Sequence, residues 1–295
     1  MAKMHADEFE IDIPLVQRLL AKQFPHWANL PLKPVPSAGT DNALYRLGKD
    51  MVVRLPRIDW AVGNVDKEFK WLPKLAPFLP VSIPTPLELG VPTKDYPWPW
   101  SVYRWLEGSN PIVGQIPDPL LMTNDLIAFI HALHKIDLPN GPISNRGVPL
   151  ERQDTETRKA LQQLDGMIDV AAVTAIWEAA LQVPNWTRSP VWVHGDLSPG
   201  NLLIQNGRLS AVIDFGNLGI GDPACDLIVA WNLLPAQIRH AFRTGLGVDE
   251  ATWQRGCGWA LSNALIALPY YKDTNPALAN NARHVIQEIV KGGLR

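Results

Sequence analysis

Residues 194–201 read His-Gly-Asp-Leu-Ser-Pro-Gly-Asn, and Ile213-Asp214-Phe215-Gly216 follows shortly after. Between them lies LLIQNGRLSAVI, in which Asn206-Gly207 separates two apolar runs. Asn-Gly between apolar runs is the sequence of a tight hairpin turn, because both residues accept a left-handed backbone. A hairpin here constrains the rest of the chain. Its two strands pair, so the loop entering the first strand and the residue leaving the second become neighbours. Asp196, Asn201 and Asp214 therefore converge, although the whole hairpin separates the last two in sequence.

Two carboxylates and a carboxamide at one place suit phosphoryl transfer. One carboxylate orients an attacking hydroxyl and takes its proton, while the other, with the carboxamide oxygen, holds Mg²⁺ on nucleotide phosphates. No Cys/His cluster accompanies them, which argues against Zn²⁺. Singly, each residue also suits an ordinary turn, where Asp and Asn bond nearby backbone.

The 295 residues are 46% hydrophobic and 19% charged, an ordinary globular composition with room for one large or one two-lobed unit. The net charge of −2 supplies no field for nucleic acid or an anionic membrane. Cys225 and Cys257 form neither a disulfide framework nor a CxxC metal site, so a cytoplasmic location is expected. The first residues, MAKMHADEFEIDIP, lack the apolar stretch of a secretory signal. No apolar run approaches the roughly 18 residues of a membrane span. The 12 Trp and 27 Pro are many, and Trp serves core packing as well as binding surfaces.

The first hundred residues read as strand-rich. Ala43–Leu47 and Met51–Leu55 flank Gly48-Lys49-Asp50 as a hairpin, and Val65–Leu75 has helical spacing despite Pro73. Pro84–Gly90 and Trp100–Leu106 read as two more strands. From Asn124, a reasonable N-cap, the periodicity is helical; Glu151–Leu181 reads as another helical stretch, Val191–Ile213 as strands, and the chain beyond Asp222 as helix. A small lobe over residues 1–105 thus precedes a larger one over 106–295, with the boundary near Leu106-Glu107-Gly108 and a cleft between them.

The D-x-x-x-x-N spacing followed by D-F-G is the protein-kinase catalytic pattern. With His-Gly-Asp in place of His-Arg-Asp, and with GDPACDL at 221–227, the chain resembles the aminoglycoside phosphotransferase family over about residues 35–270. That kinase-like superfamily also includes macrolide, choline, homoserine and fructosamine kinases. The resemblance implies an α+β, bilobal protein-kinase-like fold, with a small β-rich N-terminal nucleotide-binding lobe and a larger, mainly helical C-terminal catalytic and acceptor-binding lobe. It implies Asp196 as the catalytic residue, Asn201 and Asp214 as metal ligands, and His194 and Asp226 as supports of the loop. Asp226 also fits a plain helix N-terminal charge.

In such a fold the loop over the phosphates corresponds to Ser37–Leu47, with Gly39, Thr40 and Asn42 as candidate contacts. It is not a G-x-G-x-x-G loop. The third-strand cation is normally Lys, whereas here the stretch Arg54-Leu55-Pro56-Arg57 offers Arg54, with Arg57 as the alternative. Macrolide kinases show a similar R-x-P-R. Glu68 is the expected partner, though it also sits among Lys67, Lys70 and Lys74 as a solvated helix carboxylate would. Tyr103 takes the gatekeeper place, and the backbones of Arg104 and Leu106 are expected at the purine edge of ATP or GTP. His131 and His134 share a helix face and read as structural.

The resemblance implies transfer of the γ-phosphoryl of ATP or GTP, with Mg²⁺, to a hydroxyl of a small molecule. An aminoglycoside-type antibiotic is the first expectation, with a macrolide or a metabolite as alternatives. The C-terminal helices offer Asp222, Asp226, Asp249, Glu250, Asp273 and Glu288 for amino groups, and Trp231, Trp253, Trp259, Tyr270 and Tyr271 for apolar surface. No A-P-E follows the D-F-G, which disfavours a protein substrate. A nucleotide-binding pseudokinase is the rival of another class. A monomer or weak dimer is expected, without nucleic-acid or membrane partners.

Overall fold

The computed structural model describes residues 8–36, 39 and 41–294. The first part of the chain runs α1 (Ile13–Gln23), β1 (Leu32–Pro34), β2 (Asn42–Leu47), β3 (Met51–Pro56), α2 (Gly63–Leu75), β4 (Pro86–Gly90) and β5 (Trp100–Arg104). Its strands form one antiparallel sheet in the order β1-β2-β3-β5-β4. β2 alternates as a strand with one covered face must, whereas the central β5 is buried on both faces over Trp100–Tyr103. Ala43, Tyr45 and Leu47 of β2 and Val53 and Leu55 of β3 are buried against Leu15, Val16, Leu19 and Leu20 of α1. Each buried Val or Leu among them contributes about 1.5–3 kcal/mol by leaving water.

The second part runs α3 (Pro119–His134), α4 (Asp154–Gln163), α5 (Val170–Leu181), β6 (Val191–Val193), β7 (Leu202–Gln205), β8 (Arg208–Val212), β9 (Gly219–Gly221), α6 (Val229–Asn232), α7 (Ala236–Leu246), α8 (Glu250–Tyr271) and α9 (Pro276–Gly292). β7 pairs antiparallel with β8, and β6 with β9. The architecture is α+β and bilobal. A second core spans this part and reaches into the first through Trp71, Leu72 and Leu75 of α2 and through Tyr103. Trp71 packs on Trp192 of β6 with ring centroids 4.9 Å apart. No helix among the described residues is long and apolar enough to cross a membrane.

The hairpin expected at Asn206-Gly207 is present, with φ of 51° and 76° at its two turn residues. The hairpin at 48–50 is present too, and β2 pairs with β3 across it. Other details differ from the sequence reading. Helix α1 was not anticipated; Asp12 starts it by accepting the Leu15 amide at 2.8 Å. Asn124 does not cap α3. That helix begins earlier, at Pro119, because the Asp118 carboxylate accepts the Leu121 amide at 2.9 Å and a proline fits a first helical turn. The stretch 151–181 is two helices, because the chain turns through a left-handed Gly166 and Asp169 then caps α5 on the Ala172 amide at 3.0 Å. The strands expected at 84–90 and 100–106 are shorter, as β4 and β5.

The cap gives a direct test. Asp118→Ala should lower stability by about 1 kcal/mol, read as a fall in denaturation midpoint with an unchanged slope.

Candidate active site

His194-Gly195-Asp196 leaves β6, and Asn201 ends a turn just before β7. The Ile213 amide donates to the Asn201 carbonyl at 2.8 Å, which closes the hairpin's base and sets Asp214 beside the loop. The Asn201 side-chain amide donates to the Asp196 carbonyl at 2.9 Å and to its Oδ2 at 3.0 Å. The three residues that the motif brings together in sequence are thus together in space. Asp214 has φ of 60°, a left-handed conformation in which a non-glycine residue is uncommon. Its side chain remains 45% exposed, open to a ligand.

His194 is fully buried, and its contacts fix its tautomer. Nδ1 accepts the Asp196 amide at 3.1 Å, so Nε2 carries the proton and donates to the Ile213 carbonyl at 3.0 Å. The ring ties the 194–201 loop to the exit of β8 and packs edge-on against Phe215. Gly195 has φ of +80°, and a Cβ there would press on Asn217 at 3.0 Å. A glycine is therefore required between His194 and Asp196. Asp226, fully buried, accepts the His194 amide at 3.2 Å and the Gly195 amide at 2.7 Å, and His134 Nε2 lies 3.0 Å from its Oδ2. Burial raises the Asp196 carboxyl above its ordinary value, with Asp214 adding to the rise; Arg146 and the Asn201 hydrogen bond pull it back.

Arg54 joins the two lobes. Its Nη1 donates to Glu68 Oε2 at 2.5 Å and its Nη2 to Asp214 Oδ1 at 3.2 Å. With the Asn42 amide turned so that its oxygen faces the guanidinium, that oxygen accepts from Nε at 3.2 Å and Nη2 at 3.1 Å. Tyr103 is buried and donates its hydroxyl to the same Glu68 Oε2 at 2.8 Å, while Glu68 Oε1 is buried without a hydrogen-bond partner among the described residues. Arg57 lies apart, paired with Glu8 at 3.5 Å. Arg104 is exposed at the end of β5, and its amide already donates to the Thr85 carbonyl at 2.9 Å. Leu106 follows in the connection, partly exposed. Gly39 is exposed ahead of β2, and Thr40 lies outside the described residues.

Two residues that the sequence reading passed over stand at the site. Lys67 donates from Nζ to the carbonyl of Gly216, the glycine of the D-F-G, and burial pushes its amine below the usual lysine value. Arg146 reaches Asn263 Oδ1 on α8 and lies near enough to Asp196 to lower its carboxyl. Neither carries a periodic signal: Lys67 is one of several lysines along a helix, and Arg146 falls in a loop. The His131 ring bonds the Leu246 backbone carbonyl at 3.1 Å, as a structural residue would.

The residues expected to receive an acceptor serve largely to hold the lobe. Asp222 pairs with Arg255 at 2.6 Å, Asp249 caps α8, Glu250 pairs with Arg243 at 2.5 Å, and Glu288 pairs with Arg239 at 2.9 Å. Trp231, Trp253 and Trp259 are buried, whereas Tyr270 is half exposed and Asp273 is exposed beyond α8.

Residues 32–259 match the model of the phosphotransferase enzyme family, and the chain belongs to that family. An aminoglycoside 3'-phosphotransferase of Escherichia coli is 32% identical over 120 residues, which are 39% of this chain and 44% of that protein. One of Salmonella typhimurium is 30% identical over 113 residues, 37% of this chain and 42% of that one. The match thus spans less than half of these curated relatives. Among solved structures, the GDP and kanamycin complex of APH(2″)-IIIa superposes with a TM-score of 0.75 at 19% identity, covering 94% of this chain and 98% of that one. A macrolide 2'-phosphotransferase of Brachybacterium faecium superposes with a TM-score of 0.64 at 20% identity, covering 93% and 97%. At such identity the likeness is one of fold.

The Asp226 carboxylate makes the sharpest stability test of this region. Asp226→Ala leaves two buried backbone donors without an acceptor, and should cost about 2–5 kcal/mol, measured by denaturant unfolding.

Proposed function

We propose that this chain is a nucleotide-dependent O-phosphotransferase that moves the γ-phosphoryl of ATP or GTP to a hydroxyl of a small molecule. The observation that carries the reading is the meeting of Asp196, Asn201 and Asp214 at the base of one hairpin, with the Asn201 amide on Asp196 Oδ2 at 3.0 Å. Residues 1–105 form the nucleotide-binding lobe and 106–295 the catalytic and acceptor lobe. In this reading Asn42, Arg54, Glu68 and Tyr103 order the nucleotide site, and the backbone around Arg104 and Leu106 meets the purine.

The donor set fits Mg²⁺. Asn201 spends its amide hydrogens on Asp196, which leaves Oδ1 as a ligand atom, and Asp214 offers a partly exposed carboxylate. Mg²⁺ held there would neutralise charge developing on the β- and γ-phosphate oxygens. Asp196 orients the acceptor hydroxyl and takes its proton as the hydroxyl oxygen bonds to the γ-phosphorus. The bond from that phosphorus to the bridging oxygen breaks, and a nucleoside diphosphate leaves. His194 and Asp226 hold the loop in register during this step.

The curated relatives support an aminoglycoside-type acceptor. The macrolide phosphotransferases among the structural neighbours support a macrolide as the second reading. Cys225 and Cys257 are free, buried thiols, in keeping with a reducing cytoplasm. We take the active form as a monomer or weak dimer.

Purified protein with Mg·ATP or Mg·GTP, offered aminoglycosides, macrolides, choline and homoserine, should give one product heavier by a phosphate in mass spectrometry. Asp196→Ala should lose that product by at least about a thousandfold while still binding nucleotide. Near-normal turnover in Asp196→Ala would refute the role. Nucleotide binding with no transfer to any acceptor would favour a pseudokinase.

A further inference from the structure

The third strand carries Arg54 where a kinase-like fold places a phosphate-binding lysine, and Arg54 is occupied. Its Nε, Nη1 and Nη2 are engaged by Asn42, Glu68 and Asp214. The side chain is only 11% exposed. A guanidinium held in three directions serves as a clasp, with little left to offer an incoming phosphate. Beyond the Mg²⁺ that Asn201 and Asp214 would hold, the site needs positive charge, because a nucleoside triphosphate would approach Asp214 and Asp196 together.

Lys67 answers that need from another element. It sits on α2, one residue before the clasp carboxylate, and its Nζ reaches across to the Gly216 carbonyl, two residues past Asp214. An ammonium has three donors, and the Gly216 carbonyl takes one. Among the described residues Lys67 forms no ion pair, although Glu68, Arg54 and Asp214 all lie within its electrostatic reach. A partly buried cation without a carboxylate in contact is under-compensated, and an anion beside Asp214 would compensate it. Its flexible stem suits a point-charge contact to phosphate oxygens, which the forked, pinned Arg54 cannot make.

We infer that Lys67 supplies the phosphate-binding cation of this site, reaching the nucleotide's phosphate chain from the Gly216 side, while Arg54 holds Glu68, Asn42 and Asp214 in place. The inference rests on the phosphotransferase reading above, and it moves the cation from β3 to α2.

The test is equilibrium calorimetry of the full chain with Mg·ATP, Mg·GTP and AMP, for the unaltered protein, Lys67→Gln, Lys67→Met and Lys67→Arg. Both neutral variants should bind the preferred triphosphate about tenfold or more weakly, with AMP affinity within about twofold of the original. Lys67→Arg should recover most of the loss. Melting curves like that of the unaltered protein would show that the variants fold, and Lys67→Gln keeps the polar reach if Lys67→Met does not. Equal weakening of AMP and triphosphate, or unchanged triphosphate affinity, would overturn the inference and leave the phosphotransferase reading standing. Absence of nucleotide binding by the unaltered protein would instead overturn that reading, and this one with it.

Discussion

The Ile213 amide donating to the Asn201 carbonyl at 2.8 Å closes the base of a four-by-five-residue hairpin, and the candidate site depends on that closure. The turn at Asn206-Gly207 lets the strands return in register, so Leu202 faces Val212. The hairpin is pinned from three directions. Ser109 exchanges backbone bonds with Ile204 at 3.1 and 2.9 Å, Ser82 bonds Ser210 and Val212, and Asp125 of α3 grips Arg208 and the Leu209 amide. Ser82, Ser109 and helix α3 therefore all touch the same short ribbon. An error in its register would move Asp214 away from Asn201 and from Arg54.

Around this ribbon the polar groups divide into those spent on structure and those left for chemistry. Asp226 is fully buried and spent on the His194 and Gly195 amides, so it is a backbone acceptor that shapes the loop. Glu68 and Tyr103 are buried, with Glu68 Oε2 taken by both Arg54 and the Tyr103 hydroxyl. Asp196 and Asp214 remain partly open, each with a polar contact that orients it without covering it. Rigid donors behind and open oxygens in front are what preorganised electrostatic catalysis requires.

Much of this was legible in the sequence, and for a physical reason. Asn-Gly, the D-x-x-x-x-N spacing and the D-F-G act through local geometry, so their consequences can be worked out from neighbours in the chain. The α+β, two-lobed order was legible in the same way, from the switch between strand and helix periods. The rest depends on contacts between distant segments. Helix α1 has a clear cap at Asp12 but lies in a stretch dominated by strands, and α3 starts at Asp118 because a proline and a carboxylate act together there. Lys67, Arg146 and His134 owe their positions to residues 149, 117 and 92 places away. The carboxylates expected to greet an acceptor were visible as charges, but their arginine partners could only be found in three dimensions.

In the proposed mechanism the hairpin assembles one metal–nucleotide site from Asn201 and Asp214. The most direct measurement is nucleotide affinity with and without Mg²⁺, by calorimetry, for the unaltered chain, Asn201→Ala and Asp214→Ala. Mg²⁺ should strengthen ATP or GTP binding to the unaltered chain, and each substitution should erase most of that gain while sparing AMP. A metal-dependent gain that survives in both variants would place the metal elsewhere and contradict the claim.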